Sequence, residues 1–201
     1  MAPDLIVWDF DGVLNRNVVD GRFLWSEHLD TDLGLSRDSL QAFLFRSGRM
    51  LGVIRGEEDL RDVVAEWLAA EGAQISPDAM LDYWFAKDGL PDAEVLGWLE
   101  QVDTRHVIGT NNETRRVAYI EGPMGFSERV EKVFASGRLR VAKPDAGFFE
   151  AIEAWSGVAV GSILLVDDNL PNVEAAQARG WAGFHFVDET RSDLPALLGI
   201  A

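Results

Sequence analysis

Three short apolar runs, each stopped by an acid or a hydroxyl, constrain the fold of this chain more than any other feature. Leu5-Ile6-Val7-Trp8 ends at Asp9, His106-Val107-Ile108 runs into Gly109-Thr110-Asn111, and Ile163-Leu164-Leu165-Val166 ends at Asp167-Asp168-Asn169. Short apolar runs bounded by turn residues read as buried strands. Lys132-Val133-Phe134-Ala135 and Ala182-Gly183-Phe184-His185-Phe186 are weaker candidates. Helical patterns lie between them, at Asn112 to Ile120, Pro144 to Trp155 and Asn172 to Arg179. Pro144 suits a first helical position and Gly180 a helix end. Strands alternating with helices predict an α/β fold, a Rossmann-like parallel sheet with helices on both faces. In such a sheet all strand C-termini share one edge, where open α/β sheets bind ligands, so Asp9, Thr110 and Asp167-Asp168 should converge there.

The segment 16–88 has a different character. Ser39 to Phe45, Glu57 to Glu71 and Pro77 to Phe85 carry helical apolar spacing, and no convincing strand is visible. Leu60, Val63, Val64, Trp67 and Leu68 form one apolar stripe, and Ser76-Pro77-Asp78 is a good helix start. The expected organisation is a core of residues 1–15 and 89–201 with an all-helical cap, 16–88, inserted after the first strand. The chain would rejoin the core through a helix from Pro91 to Gln101. No internal repeat or low-complexity segment is seen.

Composition removes several function classes. Acids outnumber Lys and Arg by 34 to 18, and the net charge of −16 would repel a polyanion, so no nucleic-acid partner is expected. With no cysteine, disulfides and thiolate metal sites are ruled out, which suits a reducing cytoplasm. No stretch approaches the ~20 apolar residues of a membrane span. Met1-Ala2-Pro3-Asp4 has neither the basic segment nor the apolar stretch of a signal peptide. A cytoplasmic protein without a membrane partner is the expectation.

Asp9, Asp11, Asp167 and Asp168, brought to one edge, would repel each other unless a cation neutralised them. Hard carboxylate oxygens without Cys or clustered His select Mg²⁺ over zinc. A phosphate ester could complete the ion's coordination. Donors from Thr110 and Asn111 and the Lys143 ammonium could hold the remaining phosphoryl oxygens. A carboxylate so shielded can attack phosphorus, and a second acid two residues away can protonate the leaving oxygen and then activate water.

Asp9-Phe10-Asp11-Gly12-Val13-Leu14, Thr110-Asn111, Lys143-Pro144 and Asp167-Asp168 resemble, in order, the four motifs of the haloacid dehalogenase-like (HAD) hydrolase superfamily. The similarity spans nearly the whole chain. It looks like the helical-cap branch that holds sugar-phosphate phosphatases and the phosphatase domains of epoxide hydrolases. The resemblance implies Asp9 as nucleophile and metal ligand, and Asp11 as acid/base with its backbone carbonyl on the metal. It implies Thr110 and Asn111 as phosphate-binding residues, and Lys143 as the group that steadies nucleophile and phosphoryl. Asp168 matches the position that most often contacts magnesium. Asp167 reads as a supporting carboxylate, paired with Lys143 or reaching the metal through water. A Mg²⁺-dependent phosphatase acting on a small phosphorylated metabolite through an aspartyl-phosphate is the implied activity.

Two departures stand out. Arg140 occupies a place where relatives often have glycine. Asn172 stands where many relatives carry an aspartate, which would weaken metal binding. Rival readings are a phosphomutase, which uses the same two acids, a haloacid dehalogenase, against which Asp11 argues, and a catalytically silent binding protein. Taken singly, an aspartate after a strand is usually a turn or helix cap. Thr110, Asn169 and Asn172 also fit capping roles. His28, His106 and His185 read as structural or surface residues. Trp25, near the start of the cap, and Arg46, Arg49 and Arg55 are candidates to meet substrate, with a surface role the stronger reading for the arginines. Exposed cap helices could pair two copies in a homodimer.

Overall fold

The strand β1 (Leu5–Trp8) is fully buried and lies at the centre of a five-stranded sheet. In the computed structural model, which describes residues 2–19 and 22–200, this sheet is parallel throughout. Met1, Asp20, Gly21 and Ala201 lie outside the described residues, and with them the outer end of each expected core segment and two positions inside the expected insertion. After β1 come a small hairpin, β2 (Val18–Val19) and β3 (Arg22–Phe23), and the helices α1 (Leu29–Leu33), α2 (Arg37–Leu40), α3 (Arg49–Ile54), α4 (Leu60–Ala70) and α5 (Pro77–Asp88). The chain returns through α6 (Ala93–Gln101) to β4 (Arg105–Thr110), α7 (Thr114–Glu121), β5 (Lys132–Ala135) and α8 (Ser136–Leu139). It ends with α9 (Ala146–Ser156), β6 (Ile163–Asp167), α10 (Leu170–Ala178), β7 (Ala182–His185) and α11 (Leu194–Leu198). The strand order is β5-β4-β1-β6-β7, so the three strongest apolar runs occupy the middle and the two weaker ones the edges.

Strand alternation explains why both faces are covered. Ile6, Trp8, Ile108, Leu164 and Val166 pack on one side against Val95 and Leu99 of α6, Val117 and Ile120 of α7, and Leu194 of α11. Leu5, Val7, Val107, Ile163 and Leu165 face the other way, onto Phe148, Phe149 and Ile152 of α9 and Ala176 of α10. A third cluster draws its buried residues from 25–85, namely Trp25, Leu29, Leu40, Leu44, Val53, the predicted α4 stripe, Met80, Leu81, Trp84 and Phe85, with Tyr119 of α7 packed against it. Ser76 caps α5 by accepting from Ala79 N, with Pro77 in the first turn.

Three sequence expectations need correction. The inserted segment is not wholly helical, because β2 pairs antiparallel with β3 in the register Val18 to Phe23 and Val19 to Arg22. Two-residue strands are too short to show as strand periodicity. The helix expected at 39–45 is α2 followed by a π-helical turn over Gln41–Arg46. Pro144 is not a first helical residue: Asp145 N donates to Ala142 O at 2.8 Å, closing a turn around Lys143-Pro144, and α9 begins at Ala146.

Candidate active site

Asp9 follows β1, Thr110 ends β4 and Asp167 ends β6, three adjacent strands, so parallel pairing carries these side chains to one edge. Asp9, Asp167 and Asp168 each present a carboxylate oxygen such that all three lie within 4.8 Å of one another. Lys143 reaches into the cluster from the turn before α9. Its Nζ is 2.6 Å from Asp167 Oδ2 and 3.0 Å from Asp9 Oδ1, and its side chain is 1% exposed. Asp9 Oδ1 also accepts from Phe10 N at 2.7 Å. Asn172 donates to both Asp167 oxygens, at 3.0 and 3.2 Å, and Asn169 N donates to Oδ1. Asp167 is therefore saturated by a lysine, an amide and a main-chain N–H.

Charge in this cluster is unbalanced, with one ammonium against three carboxyls. Burial, then Asp167 and Asp168, push the Asp9 pKa well above its usual value despite the opposing pull of Lys143. Burial and Asp167 raise Asp168 to about 6, with a smaller push from Asp11 and partial relief from Lys143. Burial opposes the Lys143 charge, but Asp167 and Asp9 outweigh it and hold its pKa above the ordinary lysine value. An all-oxygen set carrying excess negative charge fits a hard divalent cation. The backbone beside it is shaped accordingly. Gly12 adopts φ +82°, and a Cβ there would lie 2.3 Å from Asp168 Oδ2. Glycine is required for both the turn and the space.

Asp11 is held by three amides. Asn17 Nδ2 and Asn15 Nδ2 donate to Oδ1 at 2.8 and 3.3 Å, and Asn112 Nδ2 donates to Oδ2 at 2.8 Å. Thr110, buried to 1% exposure, accepts from the same Asn112 group at 2.8 Å. Asn111 uses Nδ2 on Lys143 O (2.9 Å) and Oδ1 on Lys143 N (2.8 Å), fixing the backbone that aims the lysine. Thr110 does not cap the following helix; Glu113 does, accepting from Arg115 N at 2.8 Å and from Arg116 N.

Several site residues had no mark in the sequence. Asn17 Nδ2 bonds Asp88 Oδ1 at 2.7 Å as well as Asp11, and Asp88 Oδ2 pairs with Arg116 Nη2 at 3.1 Å. Burial and Asp11 raise the Asp88 pKa to about 7, offset in part by Arg116 and Asn17. Asn15 donates to Asp88 O and accepts from Leu90 N, each at 2.7 Å. The stretches at Asn15–Asn17 and Asp88–Leu90 are thus tied together beside Asp11. Arg116 stands in a run of polar helix residues and looks like a surface arginine until α7 is packed. Asn15, Asn17 and Asn112 lie within six residues of Asp11 or two of Thr110, and that proximity is the one signal that could have drawn attention to them.

The remaining candidates do not join the carboxylate cluster. His106 accepts from Trp8 Nε1 at Nδ1 (3.1 Å) and lies 3.0 Å from Val102 O at Nε2, a neutral structural arrangement; His185 Nε2 lies 3.0 Å from Asp168 O. Arg49 pairs with Glu58 and Glu66, Arg55 with Asp145, and Arg46 donates to Asp38 O. Arg140 has φ 59° and ψ 25°, a left-handed conformation that explains why glycine would suit the position. Trp25 stacks on Trp84, with centroids 4.1 Å apart and planes at 18°. Both line a cavity of about 160 Å³ that opens on Asp11.

A five-stranded parallel sheet covered by helices, with its carboxylates at the C-terminal edge, matches the haloacid dehalogenase-like (HAD) fold, and this chain has that fold. A predicted HAD-like family hydrolase from Porphyromonas gingivalis superposes with a TM-score of 0.76 at 20% identity, covering 98% of each chain. A HAD family enzyme from Bacteroides thetaiotaomicron, solved with magnesium and inorganic phosphate, gives 0.75 at 18% identity, covering 96% of this chain and 99% of that one. Among curated proteins, the sesquiterpene phosphatase astK of Aspergillus oryzae is 25% identical over 96% of this chain and 95% of its own length. No protein-family profile matches the chain. Among the described residues, no helix is long and apolar enough to cross a membrane.

Proposed function

We propose that the chain is a magnesium-dependent phosphatase that cleaves a small phosphomonoester through an aspartyl-phosphate on Asp9. One observation carries this reading: two differently supported carboxyls, Asp9 and Asp11, stand two residues apart at the same sheet edge. Asp9 is held by Lys143 and Phe10 N, with one oxygen engaged by both. In the first step a carboxylate oxygen of Asp9 bonds to phosphorus, the ester P–O bond breaks, and Asp11 gives its proton to the departing alkoxide. In the second step a water oxygen bonds to phosphorus, Asp11 takes the proton, and the Asp9–phosphorus bond breaks to release phosphate. The amides of Asn15, Asn17 and Asn112 keep Asp11 in one orientation through both transfers. Thr110 and the main-chain N–H of Asn111 would donate to phosphoryl oxygens, and Lys143 steadies Asp9.

Asp9, Asp168 and the main-chain carbonyl of Asp11 would hold Mg²⁺, with Asp167 supporting through Lys143. The ion would supply positive charge against the carboxylates and the phosphoryl oxygens. The curated phosphatase relative and the fold relative that binds magnesium and phosphate support a phosphatase over a dehalogenase, as does Asp11 with its three amide donors. Hydrolysis of an aryl phosphate, measured with Mg²⁺ and with EDTA, tests the proposal. Turnover should require the metal, vanish in Asp9→Asn, and fall ~10²–10⁴-fold in Asp11→Asn. Undiminished turnover in Asp9→Asn would exclude the nucleophile.

A further inference from the structure

We infer that the alcohol half of the substrate is an apolar hydrocarbon rather than a polyhydroxylated sugar; the inference rests on the phosphatase reading and specifies its leaving group. The cavity of about 160 Å³ has Asp11, Asn111 and Asn112 at one end, so whatever fills it adjoins the acid that protonates the leaving oxygen. Its cap-side wall is carbon: Phe23, Trp25, Phe45, Met50, Ile54 and Trp84 are among its residues.

The polar groups around the cavity are already committed to each other. Asn111 bonds the Lys143 backbone, and Asn112 bonds Asp11 and Thr110. Glu113 caps α7, while Arg116 donates to Phe85 O and pairs with Asp88. Two donors of lining residues lack a partner, Trp25 Nε1 and Arg116 Nε, and both are fully shielded. A sugar entering this space would surrender water at each hydroxyl against a carbon wall, and the polar groups at the Asp11 end already bond one another. Each hydroxyl left unpaired on that wall loses about tenfold or more in affinity. A hydrocarbon loses nothing and gains by leaving water, about fourfold per buried methylene. The stacked Trp25–Trp84 pair gives the wall a rigid flat surface for such a chain.

The test is a series of n-alkyl phosphates, from methyl to hexyl, compared with glycerol phosphate and glucose 6-phosphate on the magnesium-loaded protein. We expect kcat/KM to climb about fourfold per methylene until the cavity is full, and hexyl phosphate to exceed glucose 6-phosphate by at least about a hundredfold. Met50→Gln, nearly isosteric and half-buried, should lower the ratio of hexyl to methyl phosphate turnover about tenfold by placing an amide in the wall. Equal or better turnover of glucose 6-phosphate, or a flat alkyl series, would overturn the inference. Failure of every ester, aryl phosphate included, would refute the phosphatase reading instead. In that event tryptophan fluorescence of the same protein titrated with hexanol and with glucose still reads the cavity: saturable change with hexanol alone supports an apolar site, and change with glucose alone or with neither refutes it.

Discussion

Asp168→Asn preserves side-chain shape and removes one charge from a crowded cluster. In metal-free protein at pH 7 the Asp168 carboxyl is mostly ionised although burial and Asp167 have raised its pKa to about 6 from an ordinary 3.8. At 1.36 kcal/mol per tenfold change in proton affinity, that difference sets against folding a cost of ~3 kcal/mol. Residual solvent contact and the imperfect fit of an amide reduce the expected gain to about 1–3 kcal/mol. For a chain of this length each kcal/mol moves Tm by ~2–4 °C, so the variant should melt ~2–12 °C higher than wild type in EDTA.

The pH dependence has a definite sign. A carboxyl with a raised folded pKa binds its proton more tightly in the folded state. Its stabilising contribution is complete below 3.8 and is lost as pH rises through about 6. Wild type therefore gains stability from this group on acidification, the variant does not, and the gap between them closes as pH falls from 7. Excess Mg²⁺ should reverse the order at pH 7, because binding at about a thousand times Kd stabilises wild type by ~4.1 kcal/mol. Thermal unfolding of both proteins, with EDTA and with Mg²⁺ across this pH range, measures all three effects. A variant that melts below wild type in EDTA at pH 7, or that keeps the full magnesium response, would refute the reasoning.

Lys143→Met leaves Asp9 and Asp167 buried without their ammonium, and denaturant unfolding at pH 7 should show a loss of ~3–5 kcal/mol. Arg140→Gly relieves a left-handed backbone at φ 59° and should stabilise by ~1 kcal/mol in the same assay, the loss of unfolded-state restriction being the smaller effect. Gly56→Ala puts a methyl group 2.5 Å from the Gly137 carbonyl oxygen at φ +68°. It should cost ~1–3 kcal/mol by calorimetry or force the backbone at Gly56 away from α8, whereas a variant as stable as wild type would show that this contact is loose.

The parts of the fold legible in the sequence are those written in local patterns. Leu5–Trp8, Arg105–Thr110 and Ile163–Asp167 form the centre of the sheet because strands buried on both faces must be continuously apolar. The α4 stripe was visible because a helix with one buried face repeats its apolar residues in step with the turn. The hairpin at 18–23 was not visible, since two-residue strands carry no period to detect. Pro144 misled because a proline that suits a helix start also suits a turn, and the choice is made by the Asp145 to Ala142 bond.

At the site, Asp9, Thr110, Lys143, Asp167 and Asp168 could be singled out from their places after strands or before a helix, and parallel pairing brings the strand-end residues together. Asp11's surroundings could not. Its amide donors include one 101 residues away, and Asn17 is bridged to an acid 71 residues distant. The cavity wall is assembled in the same way, from residues 23–85 closing over Asn111 and Asn112. The sequence by itself determined which residues end the central strands, because burial on both faces dictates apolar runs and each polar stop is local. Only the tertiary structure decided what surrounds them. The same asparagine or arginine is solvated on an isolated helix and committed inside a packed one, and no local pattern distinguishes the two.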